Sequence, residues 1–276
     1  MLSYQHGYHA GNYADVLKHI ALTRLLSYLT LKEKPLFYLE THAGKGFYDF
    51  RDRQAIKTGE YKKGIQQIWT ERKKAPSLLQ PYLQMINQVN LHSELRYYPG
   101  SPMIAINLLR DQDRMFFCEL HPREFEELNQ LDPQGKRVHF SPDDGLAALK
   151  AMLPPPEKRG LIFIDPAYEV KDEYKTIAQA VQAAYSRFAT GVYCIWYPIV
   201  DRFLVNKLDR GMQAINGANR IRIEFNLNDP AMVGMTGTGL WIINPPYTFA
   251  EEMKTVCSFL KNYFNSGHAT FSIEVF

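Results

Sequence analysis

The sequence predicts a layered α/β fold with a largely parallel sheet. Short, almost purely apolar runs recur along the chain, as at Leu161-Ile162-Phe163-Ile164, which is how strands buried on both faces read. Segments with helical spacing separate most of these runs. Several runs stop on a glycine turn or an acid, at Gly44-Lys45-Gly46, Glu119, Asp143-Asp144-Gly145 and Asp165. Parallel sheets bind their ligands beyond such carboxyl ends.

Residues 13 to 32 read as a helix, with Val16, Leu17, Ile20, Leu25, Leu26 and Leu29 on one side. Leu36 to Glu40 is a strand that runs into Thr41-His42-Ala43-Gly44-Lys45-Gly46. Residues 60 to 93 are helical in character, punctuated by Pro76 and Pro81, which suit the start of a second helix. A helix is expected over 102 to 110, then a strand from Met115 to Glu119. Further strands are expected at Val138 to Phe140, Leu161 to Asp165, Val192 to Trp196, Ile221 to Phe225 and Leu240 to Ile243. Pro154-Pro155-Pro156 is a stiff connector, and no linker divides the chain into independent domains.

With 276 residues, 46% hydrophobic and 22% charged, the chain has the composition of a soluble globular protein with a substantial core. No run reaches membrane-spanning length, and Met1-Leu2-Ser3-Tyr4-Gln5-His6 lacks the basic and apolar regions of a secretory signal. Cys118, Cys194 and Cys257 lie far apart and read as buried free thiols, consistent with a reducing cytoplasm. A net charge of +3 permits nucleic-acid binding without demanding it. Lys57, Lys62, Lys63, Arg72, Lys73 and Lys74 are concentrated in one region, which is either a solvated helical surface or a phosphate-binding one.

Four strand ends carry candidate chemistry. The glycines at 44 and 46 let a ligand approach the backbone. The three-glycine dinucleotide fingerprint is absent, because His42 stands where its first glycine would be, and Lys45 is not followed by the Ser or Thr of a phosphate loop. A nicotinamide oxidoreductase is therefore disfavoured. Glu119 is placed to accept from ribose hydroxyls, although it follows Gly44 by more than seventy residues rather than the usual interval of about twenty. The basic segment from 49 to 98 has the look of an insertion between the first two strands. Asp144 is either an adenine-amine acceptor or the N-cap of a helix beginning at Leu146. At Asp165-Pro166-Ala167-Tyr168, the carboxylate and the Pro166 carbonyl offer two acceptors and Tyr168 a stacking face, an arrangement suited to an adenine amino group.

Read together, these residues resemble the class I methyltransferases that use S-adenosylmethionine, whose amino-methylating members carry Asp-Pro-Pro-Tyr after strand four. Leu2-Ser3-Tyr4-Gln5-His6, His9-Ala10-Gly11-Asn12, Ala14-Asp15-Val16-Leu17-Lys18-His19 and Thr41-His42-Ala43-Gly44 narrow the match. So do Tyr97-Tyr98-Pro99-Gly100-Ser101-Pro102, Glu119-Leu120-His121-Pro122 and Arg187-Phe188-Ala189-Thr190-Gly191. The chain resembles the bacterial 23S ribosomal RNA adenine N6-methyltransferase J family over essentially its whole length.

The resemblance implies one methyltransferase domain over 1–276. It implies a Rossmann-like seven-stranded sheet in the order 3-2-1-4-5-7-6, with an inserted helical subdomain at 49–98. It implies S-adenosylmethionine contacts at His19, His42, Ser101, Glu119, Asp144, Gly145 and Asp165, to which the glycine turn adds Gly44 as a cofactor-binding candidate. It also implies a substrate-facing Tyr4, 23S ribosomal RNA as partner and a monomer. Two positions depart from the family pattern: Ala167 replaces the second proline, losing the ring that fixes φ there, and Tyr13 stands where relatives carry histidine.

Catalysis is expected of Asp165, Pro166 and Tyr168, which hold, polarise and stack a flipped adenine. Lys18 is either a surface charge or a substrate contact, and Tyr4 either an N-terminal anchor or a substrate contact. Histidines 6, 9, 19 and 42 show no compact ligand spacing, so no metal is expected. Asn244-Pro245-Pro246-Tyr247 fits the amino-methylase pattern better than Asp165 to Tyr168. It is read as a structural turn, because the strand before it is the terminal antiparallel one and opens on the opposite edge. The alternatives are a DNA adenine methyltransferase and a non-catalytic nucleic-acid-binding protein linked to use of external DNA.

Overall fold

The structure, a computed structural model, describes residues 4–91, 94–131, 136–228, 234–264 and 267–276. Leu2 and Ser3, and the end of the helical segment expected at 92–93, lie outside the described residues. Helix α1 (Tyr13–Leu29) starts on Asn12, whose side chain accepts the Asp15 N–H at 2.9 Å, and stops before an exposed Leu31-Lys32-Glu33-Lys34 run. It is buried nearly all round, with Val16, Ile20 and Leu25 joined by Asp15, Lys18 and His19. A helix of that kind belongs in the interior, and its buried charges need partners.

Strand β1 (Phe37–Glu40) is followed by β2 (Phe47–Asp49), which pairs with β3 (Tyr97–Pro99) as a separate two-stranded sheet. Between them lie α2 (Arg53–Thr58), α3 (Ile65–Thr70) and α4 (Gln80–Val89), joined by one-turn 3₁₀ segments at Glu60–Lys63, Arg72–Lys74 and Ser77–Leu79. The helical character expected over 60 to 93 is thus broken into short pieces. Gly64 and Pro76 interrupt it, and Pro81 sits in the first turn of α4, where its missing N–H is harmless.

The rest of the chain alternates: α5 (Ser101–Leu108), β4 (Arg114–Cys118), α6 (Pro122–Asn129), β5 (Val138–Ser141), α7 (Gly145–Met152), β6 (Gly160–Ile164), α8 (Glu173–Arg187) and β7 (Val192–Ile199). It ends with α9 (Arg202–Gln213), β8 (Arg220–Asn226), β9 (Gly237–Ile243), α10 (Phe249–Tyr263) and β10 (Thr270–Val275). The main sheet has eight strands in the order β10-β8-β9-β7-β6-β1-β4-β5. Setting β10 aside, that order is the expected 3-2-1-4-5-7-6. The eighth strand corrects the expected count. β10 pairs antiparallel with β8 at the sheet edge and is only half-buried, so it lacks the apolar run that marks the central strands.

β5, β4, β1, β6 and β7 are parallel, and β9 runs against both β7 and β8. Alternate strand residues feed two cores. Tyr38, Phe117, Phe163 and Cys194 pack with α1, α5 and α10, whereas Phe37, Leu39, Ile162 and Ile195 pack with α7, α8 and α9. Burial on both faces explains the unbroken apolar runs. Cys118, Cys194 and Cys257 are free and buried. Among the described residues no helix is long and apolar enough to cross a membrane.

Candidate functional site

The parallel strands β1, β4, β5 and β6 end on one side of the sheet, where their loops and the N-terminal segment enclose a crevice of about 870 Å³. Tyr4, Lys18, His19, His42, Gly44 and Ser101 line it. So do Glu119, Asp144, Gly145, Asp165, Pro166 and Tyr168. The structure therefore brings together every site residue expected from the sequence.

One half of the crevice is built for a nucleotide-like ligand. Gly44 has φ +61°, a conformation that favours glycine, and a side chain there would strike the Tyr48 hydroxyl. Its N–H donates to Glu119 Oε2 at 2.7 Å, and the His121 N–H donates to Glu119 Oε1 at 2.7 Å. Each oxygen keeps a further lone pair for a ribose hydroxyl. Burial raises the Glu119 carboxyl above its ordinary range, opposed by those two donors. At the N-terminus of α7, Gly145 approaches β1 so closely that a Cβ would lie 2.0 Å from the Thr41 carbonyl oxygen. Asp144 caps that helix, accepting the Leu146 N–H at 2.8 Å, and lines the crevice as well. The two readings open at Asp144 are thus compatible.

Deeper in, the Ser101 hydroxyl donates to Glu40 Oε1 at 2.5 Å, and the Tyr38 hydroxyl donates to Glu40 Oε2 at 2.8 Å. Burial lifts the Glu40 carboxyl to about 8, against the pull of those two donors. His19 Nδ1 shares a hydrogen bond with the Tyr98 hydroxyl at 2.7 Å, and His42 Nδ1 one with Thr41 Oγ1 at 2.8 Å. Burial drives the His19 imidazole down to about 3 and that of His42 to about 4, so both are neutral. Among the described residues no group of three or more His, Cys, Asp or Glu could hold a metal ion.

The other half of the crevice is organised around Asp165 at the end of β6. Lys18 is a buried charge rather than a surface one. Its ammonium lies 2.6 Å from Asp165 Oδ2 and 2.8 Å from Asp15 Oδ1. Burial opposes that charge, but the two carboxylates prevail and raise the Lys18 pKa. Asp15 Oδ2 also bonds His6 Nε2 at 2.8 Å, and His6 Nδ1 bonds the Tyr4 hydroxyl at 2.8 Å. Tyr4 is therefore an N-terminal anchor and a crevice wall together. Tyr168 has φ +52°, and its hydroxyl donates to the Trp196 carbonyl at 2.9 Å. The Trp196 indole, at 5.2 Å from the Lys18 ammonium, is fixed by a bond to Thr238 Oγ1 at 2.6 Å.

Asn244 lies elsewhere. β9 ends opposite Tyr193 and Arg220, at the beginnings of β7 and β8. The Asn244 amide donates to the Ala189 and Gly191 carbonyls at 2.7 and 2.8 Å, and Tyr247 is 88% exposed. Asn244 is a backbone tie on the far edge of the sheet. Asn244→Ala is expected to cost about 1–2 kcal/mol in urea unfolding and to leave the chemistry of the crevice unchanged.

Sequence reasoning passed over Asp15, Glu40 and Trp196. Asp15 had a signal, since it lies three and four residues before Lys18 and His19 on one helix face. Trp196 had a weaker one, as an aromatic near the end of a central strand.

The chain matches the model of the family described as "Ribosomal RNA large subunit methyltransferase D, RlmJ" over residues 33–275. It is 44% identical to the ribosomal RNA large subunit methyltransferase J of Haemophilus influenzae, covering 99% of this chain and 98% of that one. It is 41% identical to the protein of the same description from Escherichia coli, again covering 99% and 98%. A crystal structure of a Legionella pneumophila protein superposes with a TM-score of 0.92 at 55% identity, covering 96% of this chain and 98% of that one.

Proposed function

This chain belongs to the ribosomal RNA large subunit methyltransferase J family, and we propose that it methylates the exocyclic N6 of an adenine in 23S ribosomal RNA. It is an S-adenosylmethionine-dependent ribosomal RNA methyltransferase. The observation that carries the adenine reading is the placement of Asp165 and Glu119 in one crevice. The acceptor for an amine and the acceptor for a ribose then face a common space. S-adenosylmethionine, when bound, supplies an electrophilic methyl group on a sulfonium. The donor set fits that molecule: Gly44 leaves backbone room, Glu119 has lone pairs for the ribose, and neutral His19 and His42 add no positive charge beside the sulfonium.

The chain's own residues do the rest. An adenine amine is a poor nucleophile because its lone pair feeds the ring. Lys18 takes Oδ2 of Asp165, which leaves the other carboxylate oxygen for one N–H, while the Pro166 carbonyl takes the second. Both acceptors favour a pyramidal nitrogen and hold it in line for attack. Tyr168 and Trp196 offer aromatic surface for the flipped base, worth about 1–3 kcal/mol for a stacked ring. Methylation makes the nitrogen cationic and strongly acidic, so even a carboxylate shared with Lys18 can accept its proton, directly or through water.

The segment 49–98 serves in this reading as an RNA-binding subdomain. Lys57, Lys62, Lys63, Lys73 and Lys74 are exposed, and Lys63 stands at the crevice. Reversing the charge of Lys62, Lys63, Lys73 and Lys74 together is expected to weaken RNA binding about ten-fold or more and to flatten its salt dependence. Unchanged affinity and slope would return these lysines to a solvated surface. In this reading the chain acts as a monomer in the cytoplasm, where its ribosomal RNA substrate is found. The test is transfer of labelled methyl from S-adenosylmethionine to unmodified 23S ribosomal RNA and, separately, to DNA. N6-methyladenosine in the RNA digest alone is the expected result; label only in DNA would redirect the reading.

A further inference from the structure

A second hollow lies beside the crevice, between the β6–α8 and β7–α9 turns. Its volume is about 610 Å³, within the range of about 300–1,000 Å³ typical of small-ligand sites. Nothing walls it off from the crevice, because Tyr168, Glu169 and Val200 line both spaces. Tyr168 follows Asp165 by three residues.

The lining has the chemistry of a nucleobase site rather than a phosphate site. Aromatic and apolar surface comes from Tyr168, Tyr174, Val200 and Leu204. The Tyr168 and Tyr174 rings pack 4.4 Å apart, and their hydroxyls donate to the Trp196 and Pro198 carbonyls at 2.9 and 3.0 Å. The polar ends of both rings are thus spent inside the chain. Val200 is 53% exposed and Val170, on the β6–α8 turn, 59%. The charged groups are balanced, with Lys171 and Arg202 against Glu169 and Asp201. Lys171 is exposed and forms no ion pair among the described residues. Arg202 gives Nη1 to Glu224 at 2.7 Å, with its side chain 47% exposed. Asp201 accepts the Phe203 N–H at 2.8 Å through one oxygen. A phosphate would meet as much negative charge as positive here. The edge of a base carries donors and acceptors together, and would find a partner for each.

We propose that this hollow seats the base of the nucleotide next to the target adenine in the same RNA strand. The inference rests on the adenine reading of the crevice and extends it from one base to two. A flipped adenine leaves its strand neighbours short of a stacking partner. A hollow that shares the Tyr168 wall gives one of those neighbours a new surface.

Isothermal titration calorimetry of the chain saturated with S-adenosylhomocysteine tests this. The probes are dinucleotides with guanosine or uridine on the 5′ side of adenosine, each compared with adenosine 5′-monophosphate. The same neighbours on the 3′ side are compared with adenosine 3′-monophosphate, so that the phosphate is matched throughout. On one side of the adenine the dinucleotide should bind about ten-fold tighter than its matched monophosphate. That ratio should fall toward one in the double variant Lys171→Ala, Val200→Asp, which removes the free cation and charges the apolar surface. Both positions are exposed, so the thermal midpoint of the ligand-free variant should stay at the wild-type value. No gain on either side overturns the inference, as does a gain that the double variant keeps. A wild type that binds neither monophosphate removes the adenine reading and this inference together, a result distinct from normal monophosphate binding without a dinucleotide gain.

Discussion

Asp165→Ala is expected to lower methyl transfer to ribosomal RNA by roughly a hundred- to a thousand-fold in single-turnover assays, with the chain still folded. In the proposed mechanism the substitution removes an acceptor from the target amine and the group that takes its proton; it also removes one of the two carboxylates that hold the Lys18 ammonium. Asp165→Asn keeps the shape and one acceptor oxygen but not the charge, and should fall between the alanine variant and the wild type. Undiminished transfer in the alanine variant would remove Asp165 from the mechanism.

Lys18→Met should destabilise the fold by roughly 3–5 kcal/mol, the usual cost of stripping one partner from a buried charge cluster. Lys18 is 3% exposed and Asp15 1%, so water cannot take over when the ammonium goes. Urea unfolding near neutral pH reads the effect directly. The wider pH dependence follows from the two pKa shifts. Burial raises the Asp15 carboxyl, but His6 and Lys18 outweigh it and hold its pKa well below the ordinary 3.8. Its contribution is therefore present above 3.8 and disappears as the pH falls through the folded value. The Lys18 pKa is raised above 10.5, so its contribution is present below 10.5 and is lost as the pH climbs through the folded value. The gap between wild type and variant should stay level from about pH 4 to about pH 10 and narrow outside that range.

The sheet was legible because its central strands are buried on both faces and end on residues with recognisable chemistry. The turn at Asn244 was legible for the same reason, since the strand order decides where its end opens. β10 alternates as a half-buried edge strand does, but it lacks the unbroken apolar run by which the central strands were read. Lys18 was ambiguous because lysine is seldom buried without a partner, and its partner Asp165 lies 147 residues along the chain. Residues that bond to near neighbours in sequence leave a periodic trace, whereas those joined across the sheet do not.

The most direct measurement is mass mapping of N6-methyladenosine in 23S ribosomal RNA from a strain lacking the gene, complemented with the wild-type chain or with Asp165→Ala. One adenine should lose its methyl group in the deletion, regain it with the wild type and remain bare with the variant. An unchanged set of methylated adenines in the deletion strain, or full restoration by Asp165→Ala, would contradict the account.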